Sequence, residues 1–149
     1  MRYLGIMTVC LILVMAAGCT TTGNPDEQFK AAWQNSENEV KAYGHQMRGA
    51  MGPEGSTDYD LKAISEGSRA MIGTIDRHYD TLAEIPVSSK YTEAKREYLS
   101  ALSDLRRACV DLSQAQDTGG PDALGPITAS APFLESSQQK RHRVAAMIE

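Results

Sequence analysis

The three histidines and three cysteines are the residues of this chain best suited to chemistry, and their spacing rules much of that chemistry out. Carboxylate metal sites in helical bundles use Glu-x-x-His on facing helices. Here Ala42, Ile75 and Gln139 stand three residues before His45, His78 and His142. Covalent haem attachment needs Cys-x-x-Cys-His, and no two of Cys10, Cys19 and Cys109 stand three residues apart. Zinc proteases need two histidines one helical turn apart, and phosphate loops need a glycine-rich run ending in Lys and Ser or Thr. Neither occurs, and Gly-x-Ser-x-Gly is missing too.

What remains is thinner. Cys109 falls on an apolar helical stripe, where a cysteine serves as a small hydrophobe rather than a nucleophile. His78 occupies a core position of another stripe, and a buried imidazole needs a partner. Folding the chain back on itself at its breaks brings His78 and His142 to about the same height. A haem, metal or small ligand held between them is therefore one expectation. The simpler one is a core His78 bonded to a neighbour such as a tyrosine hydroxyl, with His142 on a solvated face. Lys140-Arg141-His142-Arg143 is the only basic run. Lys140, Arg141 and Arg143 are expected either to meet anionic headgroups near a membrane or to form a solvated face.

The first eighteen residues differ in kind from the rest. Arg2 is followed by a run from Leu4 to Ala17 with no ionised group, as in a signal peptide. As a helix those 14 residues span roughly 21 Å, short of the roughly 30 Å hydrocarbon core of a bilayer. The run ends in Ala16-Ala17-Gly18-Cys19. This resembles the lipobox of prokaryotic membrane lipoproteins, with Ala16 where leucine is commonest. The resemblance implies that residues 1–18 are removed and that Cys19 becomes the first residue and carries diacylglyceryl and fatty acyl chains such as palmitate. It implies a protein held by lipid on the extracytoplasmic face of the cell membrane or outer membrane. Thr20 follows the cysteine in place of the aspartate that retains many Gram-negative lipoproteins at the inner membrane.

On that reading Cys109 is alone in the mature chain and no intrachain disulfide is available. The remaining chain is long enough to bury a core of its own. Losing Arg2 takes the formal net charge from −4 to −5, which argues against a nucleic-acid partner.

These groups must be positioned by helices. Residues 19–24 form a lipidated cysteine and short tether, and residues 25–149 a single helical domain. Pro25-Asp26-Glu27 reads as a helix start. Phe29, Trp33, Ser36, Val40, Tyr43 and Met47 then recur at helical spacing until Gly49, Gly52 and Pro53. Leu61, Ile64, Ser68, Met71, Ile75, His78, Leu82 and Ile85 make the second stripe, with Ser56-Thr57-Asp58 ahead of it and Pro86 behind. Ser88 or Ser89 is placed to cap a third, through Tyr91, Ala94, Tyr98, Leu102, Leu105, Cys109 and Leu112. A fourth runs through Leu124, Ile127, Ala131, Leu134, Gln138, Arg141, Ala145 and Ile148, with Pro126 and Pro132 expected to weaken or kink its first half. The expectation is an all-α, antiparallel up-down bundle of three to four helices, about 25–50, 58–85, 88–117 and 122–148. Beyond the lipobox the chain resembles small helical lipoproteins of bacteria and archaea in pattern alone. The functional expectation is a non-enzymatic structural or interaction module of the cell envelope, with an envelope protein as a candidate partner and no cofactor. The alternative is a haem-, metal- or small-ligand-binding bundle using His78.

Overall fold

Asn24 opens the first helix, its side-chain oxygen accepting from the Asp26 amide at 3.0 Å. Pro25 costs nothing there because first-turn amides have no helical partner, and Asp26 and Glu27 sit at the positive end of the dipole. This helix, α1, runs Pro25–Met51 and ends at Gly52, whose φ of 71° is the left-handed conformation that favours glycine. The computed structural model describes residues 23–53, 59–118 and 124–149. The leader, Cys19, Ser56-Thr57-Asp58 and Gly119-Gly120-Pro121-Asp122 lie outside the described residues.

Helix α2, Leu61–Glu84, is capped by Asp60, whose carboxylate accepts from the Ala63 amide at 2.9 Å. Its other end is closed from the next helix: Lys95 Nζ donates to the carbonyls of Ala83 at 2.8 Å and Ile85 at 2.6 Å. Helix α3 runs Thr92–Leu112. Neither candidate serine caps it. The Ser88 amide and hydroxyl both donate to the Asp26 carboxylate, at 2.8 and 2.7 Å, and Tyr91 stands at the cap position without a side-chain bond. Ser88 thus ties the start of α1 to the turn before α3.

The third helix stops short of its expected end. Ser65 Oγ and Arg69 Nη2 of α2 both donate to the Ser113 carbonyl, the latter at 3.0 Å. The Asp117 amide, four residues on, bonds Gln114 instead. The chain turns at Ser113 and Gln114 and resumes as α4, the single turn Ala115–Thr118. Helix α5, Leu124–Ile148, continues through Pro132 without a break. Pro126 lies in the first turn, where its missing N–H would be unpaired anyway, and Pro132 leaves only the Thr128 carbonyl without its usual helical donor.

Helix α1 packs on α2, α2 on α3, and α3 on α5, forming the expected all-α antiparallel bundle. The stripes read from α1, α2 and α3 are the buried faces, with Phe29, Ile64, Ile75, Tyr98 and Leu102 among the fully enclosed side chains. At Gly67 a Cβ would meet the Met47 methyl at 2.7 Å, so α1 and α2 approach closely there. The most intimate pair is α3 with α5. Ala94, Ala101, Ala108 and Ala115 recur at every seventh position, as do Ser130, Ser137 and Val144, and all are at most 1% exposed. Side chains this small let two backbones draw together.

That arrangement corrects the reading of α5. Its buried face is Ser130, Ser137 and Val144, flanked by the half-buried Ile127, Leu134, Arg141 and Ile148. Ala131 and Gln138, expected inside, are exposed, and so is Leu124. The helix is rotated about its axis by roughly one residue's turn.

Candidate functional site

The ring of helices is closed between α1 and α5 by side chains rather than by close backbones. A cleft of about 540 Å³ opens there, floored by Leu105 and Leu112 of α3. Large and charged residues hold its walls apart: Trp33, Glu37, Lys41 and Met47 on α1, and Gln138, Arg141 and His142 on α5. Gly44 widens it, since a Cβ there would have only Arg48 Nη1 nearby, at 3.8 Å.

One ion pair bridges the walls. Arg141 Nε and Nη2 donate to the two carboxylate oxygens of Glu37 at 2.7 and 2.8 Å, a bidentate pair with side chains 18% and 10% exposed. Burial opposes the charge on Arg141, but the Glu37 carboxylate outweighs it and holds the guanidinium pKa above its ordinary value. Beneath the pair the Tyr98 hydroxyl donates to Ser36 Oγ at 2.9 Å. Burial, and then the nearby Glu37 charge, push that phenol well up, so it remains a neutral donor. Further along α1, the Tyr43 hydroxyl is committed to Ser68 Oγ at 2.9 Å and receives the Cys109 thiol at 3.5 Å. Burial pushes the Cys109 thiol up to about 11. A protonated, fully buried thiol fits the structural role read from its position.

Two residues of the cleft lining each carry a side-chain polar atom that is sealed from solvent and so turned away from the open cleft. Trp33 Nε1 and Ser137 Oγ are buried from solvent and make no hydrogen bond, and Ser137 as a whole is 1% exposed. Buried polar groups are nearly always paired, and an unpaired one costs on the order of 1–3 kcal/mol. The rim is cationic. Lys41, His45 and Arg48 run along the α1 edge and His142 stands opposite, and none of them meets a carboxylate among the described residues. Arg48 Nη2 and His45 Nδ1 are 3.0 Å apart.

The residues singled out from sequence separate in space. His142 lines the cleft and is exposed, whereas His78 does not line it. His78 Nε2 lies 3.2 Å from Glu39 Oε2 on α1, at ion-pair distance but without the alignment of a hydrogen bond. The two histidines therefore share no cavity, and no group of three or more metal-binding side chains occurs among the described residues. The geometry does not support a haem or metal between them.

The basic run pairs within the bundle. Lys140 Nζ reaches Asp104 at 2.6 Å and Ser100 Oγ at 2.8 Å, Arg141 holds Glu37, and Arg143 Nε reaches Glu97 at 2.8 Å. Each cation expected to meet headgroups is paired with an acid of α1 or α3, partway along the bundle rather than at its end. Their visible work is to dock α5. Sequence reasoning missed Trp33, Glu37 and Ser137 as site residues. One signal was present: an arginine on an otherwise apolar stripe requires a buried carboxylate partner. Ser137 carried none, since a serine reads alike on either face. No helix among the described residues is long and apolar enough to cross a membrane. No family model, no curated protein and no solved structure matches this chain.

Proposed function

We propose that this chain is a lipid-anchored protein of the cell envelope that works by binding, not by catalysis, with the α1/α5 cleft as its binding site. The observation that carries the binding reading is a cleft with an apolar floor, Val40, Leu105, Leu112 and Leu134, beneath a rim where Lys41 and Arg48 have no carboxylate partner among the described residues. A volume of about 540 Å³ lies within the usual range of small-ligand sites. The non-catalytic reading is supported by Cys109, the one thiol among the described residues, being enclosed and protonated. The anchoring rests on the junction at Ala16-Ala17-Gly18-Cys19, and on a chain starting at Cys19 whose short segment to Asn24 reaches at most about 17 Å. The bundle would then work within a molecular diameter of the bilayer.

Two measurements test the two halves. Intact mass of protein taken from its own membrane should show a chain beginning at Cys19 with added diacylglyceryl and acyl mass, and Cys19→Ser should abolish that mass. A bare thiol or a retained leader ends the anchoring. For binding, the purified protein is denatured and its released small molecules are identified by mass spectrometry. Gly44→Leu puts a side chain into the cleft at a position with room for a Cβ. It should return without the compound the natural chain carries, and an identical extract from both removes the cleft as the site.

A further inference from the structure

We infer that the ligand of this cleft is a single-chain amphiphile with an anionic head group, its chain along the apolar floor and its head at the cationic rim. The inference rests on the binding reading above and adds the chemical class.

Shape comes first. The lining of α1 extends from Trp33 to Met51, eighteen residues or about 27 Å of helix. A volume of about 540 Å³ drawn out over that length makes a narrow groove, suited to a chain more than to a disc. Its floor is apolar, formed by Val40, Met47 and Met51 of α1, Leu105 and Leu112 of α3, and Leu134 of α5. Two methionines give the floor side chains that adapt to a flexible guest.

Polarity selects the head group. The acids of the lining are Glu37, both of whose oxygens are taken by Arg141, and the terminal Glu149. Against them stand Lys41 and Arg48, exposed and without a carboxylate partner among the described residues, with His45 and His142 beside them. Lys41, His45 and Arg48 follow one another at helical spacing. Lys41 and Arg48 form a cationic edge parallel to the Val40, Met47 and Met51 floor, so a guest whose chain lies on that floor can present its charge to them. The acceptor chemistry is shared by a carboxylate and a phosphate monoester.

The test is photo-crosslinking of the full chain in its own membranes, with three diazirine probes of equal chain length: a fatty acid, a lysophosphatidate and the neutral alcohol. Crosslinked peptides are mapped by mass spectrometry. Expected is labelling concentrated on Met47, Leu105 and Leu134 by one or both acidic probes, several-fold above the alcohol. The ratio of the two acidic probes reports which head group is preferred. Reversing the edge with Lys41→Glu and Arg48→Glu should lower acidic labelling about tenfold, from two exposed charge contacts. Both positions are exposed, and circular dichroism of the variant shows whether the fold is retained. Equal labelling of the cleft by the alcohol, or no effect of the charge reversal in a folded variant, overturns the anionic assignment and leaves a binding cleft. Labelling spread evenly over the surface with all three probes removes the cleft itself. A Soret band in protein purified from its membrane assigns the cleft to haem and overturns the inference.

Discussion

Along α5, the face buried against α3 carries Ser130, Ser137 and Val144, while the edge toward α1 carries Leu134, Gln138, Arg141, His142 and Ala145. The first face meets a helix with alanine at every seventh buried position, and the two backbones pack closely. The second meets Trp33, Glu37, Lys41 and Met47, and the helices stand apart over a cleft bridged by one bidentate ion pair. One helix thus makes a closed seam and an open one within a single residue's rotation. Side-chain volume decides how near two helices come, and where volume and charge keep them apart, a polar contact must hold the edge. The closed seam is secured by Lys140 on Asp104 and Arg143 on Glu97 as well. Ser137 lies at the boundary, buried against α3 and lining the cleft.

The largest expected effect tests the bridge of the open seam. Arg141→Ala leaves the Glu37 carboxylate enclosed and unpaired, and should cost about 3 kcal/mol in urea denaturation, the low end for a buried pair because both side chains keep some exposure. Replacing both partners, Glu37→Met with Arg141→Leu, should return stability to within about 1 kcal/mol of the natural chain. A single-variant loss below about 0.5 kcal/mol, as for a surface pair, would show that the seam does not depend on the bridge.

A second experiment contrasts the two seams with the same new side chain. Ala108→Leu forces extra methylenes between α3 and α5 and should destabilise by about 2 kcal/mol. Gly44→Leu, on the open side, should be neutral or stabilise by up to about 1 kcal/mol, because it replaces a mid-helix glycine where nothing is crowded. Equal costs at the two positions would erase the distinction between closed and open seams.

Next comes the contact beneath the bridge. Tyr98→Phe removes the donor to Ser36 and should cost about 1 kcal/mol by thermal or urea unfolding, since Ser36 Oγ stays buried.

The smallest effect is at the exposed foot of α1. The Ser88 amide and hydroxyl hold the Asp26 carboxyl below its ordinary value of 3.8, helped by Lys30 and Lys90. A folded-state pKa below the unfolded one means stability fully present above the unfolded value and lost as pH falls through the folded one. Acid titration of unfolding should therefore show a loss below about pH 4 that shrinks in Asp26→Asn. An unchanged acid limb would mean that the Asp26 link is not formed in solution.

Much of this architecture was legible without coordinates. The helical stripes of α1, α2 and α3, the breaks at Gly52 and Pro86, and the core positions Phe29, Val40, Tyr43, Ile64, Ile75, Tyr98, Leu102 and Cys109 follow from spacing, because large apolar residues at helical period leave one face to bury. The rotational setting of α5 was not, because its inner face is mostly serine, which carries no hydrophobic contrast against the alanines beside it. Only the tertiary structure decided that setting. With it came the partners of Lys140, Arg141 and Arg143, the separation of His78 from His142, and the cleft. A repeat along one chain says which face of a helix is apolar. The distance between two faces depends on the volumes and charges that both helices bring to the seam, and only their packing brings those together.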